Sequence, residues 1–125
     1  MEYIQQLFFC FNGRLNRLAY FLRSIALLLT ASIVDIFLLF ISVSDSGSLE
    51  PSTVIAAIFL MLQIMFLTSN LSLTVRRLHD INLNGWWAIL EFIPYVNIAF
   101  WLVLVFKKGS YGHNKYGANP LWREM

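Results

Sequence analysis

Residues 54–75 read VIAAIFLMLQIMFLTSNLSLTV, 22 residues without a charged side chain. At ~1.5 Å per residue a helix of that length reaches roughly 33 Å, enough for a hydrocarbon core ~30 Å thick. The alternating ten-residue pattern of a barrel strand is absent. The stretch is therefore read as a membrane helix, with Gln63 and Asn70 as its two amide side chains.

Two further runs match it. Residues 25–43, IALLLTASIVDIFLLFISV, contain one charge, Asp35, and residues 86–106, WWAILEFIPYVNIAFWLVLVF, contain Glu91, Pro94 and Asn97. The first run is longer than the 7–15 residues of a signal-peptide core, so a retained span is expected. Composition agrees: 58% of the 125 residues are hydrophobic and 13% charged, with a mean hydropathy of +0.66. An ordinary soluble domain is about 45–50% apolar and ~25% charged. One cysteine, Cys10, excludes a disulfide scaffold, and a net charge of +2 is too small for a nucleic-acid module. The expected architecture is all-α and polytopic, a single membrane domain over residues 1–125. Its parts are an interfacial N-terminal segment (1–24), span one (25–43), span two (54–75), a broken or kinked third segment (86–106) and a polar tail (107–125).

Lys and Arg near span ends set topology. Arg14, Arg17 and Arg23 precede run one, Arg76 and Arg77 follow run two, and Lys107, Lys108, Lys115 and Arg123 lie in the tail; the loop between runs one and two has none. The N-terminus and the Arg76 loop are thus expected in the cytoplasm. The third run leaves two arrangements open. A single kinked crossing puts the tail outside. Alternatively Pro94, which removes a backbone donor, divides the run into half-helices over 86–93 and 95–106 that enter and return, keeping the tail inside.

The polar residues fall into groups. Tyr3, Phe8, Phe9 and Phe11 with Arg14 and Arg17 suit an interfacial amphipathic helix ending near Asn12-Gly13. Arg76, Arg77, His79 and Asp80 crowd the end of span two, where Arg76 and Asp80 are spaced i, i+4 for an ion pair and paired guanidiniums suit a phosphate. A plain reading, cations stabilising a helix C-terminus, fits as well. Asp35 and Gln63 lie at matching depth and so do Glu91 and Asn70, which predicts hydrogen bonds that lock helices together, or alternatively an ion path. His79 and His113 lack a spaced ligand set, so no metal or other cofactor is expected. No nucleophile elbow or phosphate-binding glycine loop is present.

Three stretches resemble a bacterial family known as domain of unknown function 805. They are Phe11-Asn12-Gly13-Arg14 with Arg17 and Tyr20, then Arg76-Arg77-Leu78-His79-Asp80 followed by Asn84-Gly85-Trp86-Trp87 and Pro94, then Gly112-His113-Asn114-Lys115-Tyr116-Gly117 with Pro120. Ala19, Phe21 and Asn84 depart from the family pattern, and Asp35 and Glu91 match none of its motifs. The resemblance implies a small inner-membrane protein whose biochemical role is not assigned. With a cytoplasmic tail, Arg14, Arg17, Arg76, Arg77, His79, Asp80, Asn114 and Tyr116 share one region. The expected function is non-enzymatic: a cluster that stabilises the fold and receives anionic lipid headgroups or a partner. The alternative is a small transporter or channel component using Asp35 and Glu91. Expected partners are membrane lipids and a second copy or another membrane subunit, not nucleic acid.

Overall fold

In the computed structural model, the structure describes residues 7–46 and 52–121. Those residues form a helical fold of two long helices and one short broken pair, with a single isolated bridge between Asn114 and Gly117 as the extended pairing among them. Helix α1 spans Arg17–Ser46 and α2 spans Thr53–Asp80. A 3₁₀ helix follows over Gly85–Phe92, then α3 over Val96–Phe106.

Both long helices outrun their apolar stretches, and local chemistry explains where they begin. Asn16 caps α1, its Oδ1 accepting from the Ala19 N–H at 2.7 Å, and Ser52 caps α2, its Oγ accepting from Ile55 N–H at 3.4 Å. A side-chain oxygen at this position satisfies an orphan amide of the first turn. Residues 17–24, expected in a separate interfacial segment, are therefore the first turns of α1. Leu7 and Phe8 are helical, and the chain is then irregular to Asn16. Arg14 and Arg17 consequently do not share an amphipathic helix. Residues 1–6, which hold much of that expected helix, lie outside the described residues, as do residues 47–51 of the connecting loop and Arg123.

The third segment is bent. Ile93, Pro94 and Tyr95 separate its two halves, and Tyr95 takes a left-handed φ of 65°, a conformation costly for a residue with a Cβ. The N–H of Val96 closes the turn on Pro94 O at 2.8 Å. The halves run down and back along α2. A Cβ on Gly85 would touch Val75 and His79, Glu91 meets Asn70 and Thr74, and the Leu104 carbonyl returns to Arg77. Entry and exit are thus at the same end of α2. The 11 residues of α3 cover about 16 Å, half a hydrocarbon core.

The buried core gathers at that end. Leu15, Tyr20, Leu73, Leu78, Ile81, Ala88 and Leu104 form it. Tyr20 joins α1 to α2 through its hydroxyl and Thr74 Oγ1, 3.4 Å apart, and Trp101 Nε1 of α3 donates to Ser24 Oγ of α1 at 3.2 Å. Elsewhere the long helices bury little, since only 6% of the most apolar stretch of each is enclosed by protein. Apolar surface so arranged on helices of this length belongs against lipid.

Candidate functional site

The end of α2 that carries the core also carries the charges. Asp80 is 3% exposed and stands between two arginines from distant parts of the chain. Arg14 Nε donates to Asp80 Oδ1 at 3.1 Å, and Arg77 Nη1 donates to Oδ2. Arg76, the partner expected from i, i+4 spacing, is not the one used. Successive residues of a helix project about 100° apart, and it is the Arg77 direction that faces the tail; Arg76 Nη1 instead reaches the Leu7 carbonyl at 3.1 Å.

Each guanidinium spends its other donors on backbone carbonyls. Arg14 Nη1 bonds the carbonyls of Gly112 at 2.6 Å and Gly117 at 3.3 Å, and Nη2 bonds that of Ser110 at 2.7 Å. Arg77 Nε bonds Leu104 O at 2.7 Å, Nη1 also bonds Leu15 O at 3.3 Å, and Nη2 bonds Lys107 O. The last turn of α3 has no basic residue of its own. Arg77 supplies the cation and the donors that its terminal carbonyls lack, as helix ends require. Both arginines are buried, Arg77 completely. Two buried guanidiniums on one carboxylate are tolerable only because every nitrogen has an acceptor.

Around this knot the tail is pinned to α2. Ser110 donates twice to the Asp80 carbonyl, through N–H at 2.8 Å and Oγ at 3.0 Å. Asn114 Nδ2 donates to His79 O and to Ser110 Oγ, each at 2.9 Å, and Asn114 Oδ1 accepts from Tyr116 N–H at 2.9 Å. The Tyr116 ring stacks on His79, centroids 3.8 Å apart and planes 9° from parallel, while His79 Nδ1 lies 3.3 Å from Gly13 O. Leu15 N–H donates to Arg76 O at 3.1 Å. Arg14, Arg77, His79, Asp80, Asn114 and Tyr116 are thus one cluster. Arg17 stands apart at its edge, exposed.

The two deeper pairs are present as separate contacts. Gln63 Nε2 donates to Asp35 Oδ1 at 2.8 Å, and Asn70 Nδ2 donates to Glu91 Oε2 at 3.1 Å while Thr74 Oγ1 donates to Oε1.

Sequence reasoning missed Gly109. A Cβ there would collide with the Asp80 carboxylate, so the tail can pass this close only as glycine. It also missed the carbonyls of Leu104, Lys107 and Ser110 as acceptors. A residue list carries no signal for a backbone oxygen, and only the tail's polar, glycine-rich character hinted at an ordered loop.

A family model described as "Protein of unknown function (DUF805)" matches residues 8–118. Over 50 residues the chain is 42% identical to inner membrane protein YhaI of Escherichia coli strain K12, a stretch covering 40% of this chain and 42% of that protein. Over 45 residues it is 38% identical to inner membrane protein YhaH of the same strain, covering 36% of this chain and 37% of that protein. The matched stretch thus spans about two fifths of the length of these curated relatives. No solved structure matches.

Proposed function

Since this chain belongs to the family described as protein of unknown function DUF805, we propose a function founded on assembly at one membrane face rather than on turnover. It is a membrane protein, similar to inner membrane proteins, with two helices long and apolar enough to cross a bilayer. In our reading it is multi-pass and lies in the bacterial inner membrane. The N-terminal segment, the Arg76 loop and the tail all face the cytoplasm, and the third segment is re-entrant. There the Arg14–Asp80–Arg77 knot holds the fold together and a basic rim receives anionic lipid headgroups or a partner.

One observation supports this above the rest: Arg14 bonds the carbonyls of Ser110, Gly112 and Gly117. A tail on the far side of the membrane cannot reach Arg14, and a near-side tail satisfies the preference of basic residues for the cytoplasm. A non-enzymatic role is supported by how the reactive-looking groups are used. Asp80 is shared by two guanidiniums, and His79 is held by Gly13 and Tyr116. The transport alternative draws less support, because Asp35 and Glu91 each end in a local contact with α2; ion flux into liposomes that falls in Asp35→Asn would revive it. The decisive experiment fuses either alkaline phosphatase or a green fluorescent protein to the tail. We expect fluorescence and an inactive phosphatase. Active phosphatase would end this reading.

A further inference from the structure

We propose that the cleft between the start of α1 and the tail binds the phosphate of an anionic phospholipid, with Arg17 and Lys108 as its charged walls. The cleft has a volume of about 570 Å³ and is bordered by Arg17, Leu18, Leu22, Lys108, Tyr111 and Leu121. That size falls among small-ligand sites, ~300–1,000 Å³. Arg77 and Asp80 close its floor, but their polar atoms are already committed to each other, to the end of α3 and to the tail. Arg14 and Arg77 are therefore not the lipid ligands. Arg17 and Lys108 are, being exposed and, among the described residues, in no ion pair. Lys108 is steadied over the Tyr111 ring, its Nζ 5.3 Å from the centroid, a contact that positions a cation without neutralising it.

The apolar side of the cleft identifies the source of the phosphate. Leu18 is 63% exposed, Leu22 57% and Leu121 58%, and Leu18 and Leu22 lie one turn apart on the same face of α1. A free phosphate has no use for three leucines beside its cations. A phospholipid does, because its acyl chain begins where its headgroup ends. The assignment rests on the reading above, in which the tail lies at the cytoplasmic headgroup level.

The test is native mass spectrometry of the full chain released from detergent with phosphatidylglycerol, or with phosphatidylcholine as the neutral comparison. Phosphatidylglycerol should be retained preferentially. The double variant Arg17→Gln, Lys108→Gln should lose that retention on the order of tenfold, Arg17→Lys with Lys108→Arg should recover it, and Lys115→Gln, outside the cleft, should leave it unchanged. Unaltered retention in the double variant overturns the site, and so does an equal loss in Lys115→Gln, which would signify diffuse charge. Displacement of the lipid by millimolar inorganic phosphate would assign the cleft to a soluble anion instead. A tail reporter read in parallel separates the two claims. An external tail removes the functional reading whatever the lipid does, whereas a cytoplasmic tail with unchanged retention removes the cleft alone.

Discussion

Asp80 is the residue on which the cluster turns. It pairs with two buried guanidiniums, one negative charge set between two positive ones, and removing one member of such a group strands the others in a poorly solvating place. Asp80→Asn should therefore cost about 3–5 kcal/mol, visible as a lower midpoint in detergent unfolding. Lys115→Gln, on an exposed tail residue, should stay within about 0.5 kcal/mol. Gly109→Ala tests the same spot from the other side. Its methyl would meet the Asp80 carboxylate and force the tail outward, at an expected loss of about 1–3 kcal/mol by the same measurement. The residue types here were legible in sequence, because a charged run after an apolar one is easily seen. The pairing was not. Helical spacing gives Asp80 two candidate arginines, and the choice depends on a tail some 30 residues later and on Arg14, 66 residues earlier.

Among the elements, the third segment follows its sequence closely: Pro94 predicts two halves, and the chain bends at Ile93–Tyr95. Whether it crosses was the question sequence left open, since one run of 21 apolar residues serves a kinked span or a shallow hairpin alike. Contacts of its two ends with one end of α2 support the hairpin proposed above, and those contacts are tertiary. The long helices show the opposite kind of gap. Uninterrupted apolar length marks the membrane stretch, whereas their true starts are set by Asn16 and Ser52. Glu91 fastens the descending half to α2 with two bonds and Gln63 fastens α1 with one. An interhelical hydrogen bond in a bilayer is worth on average ~0.6 kcal/mol. Glu91→Leu should thus destabilise by roughly 1–2 kcal/mol, more than Gln63→Leu, in equilibrium unfolding from mixed micelles.

At the scale of the molecule, three sequence-distant stretches are folded as one unit only if the tail is present. A chain ended after Ser110 loses the Gly112 and Gly117 acceptors of Arg14 and the Asn114 strut on His79. It should accumulate poorly and be cleaved readily by protease, whereas a chain ended after Ala118 keeps those contacts and should resist. The re-entrant arrangement proposed above has one more effect. In that arrangement one leaflet would hold four segments of the described chain and the other only α1 and α2, joined by a bond between Asp35 and Gln63. A molecule so placed would be wider in one leaflet than in the other. Lipids on the broad side would then give up more area than those on the narrow side, so a bilayer crowded with such molecules would carry an unequal lateral load and an incentive to curve.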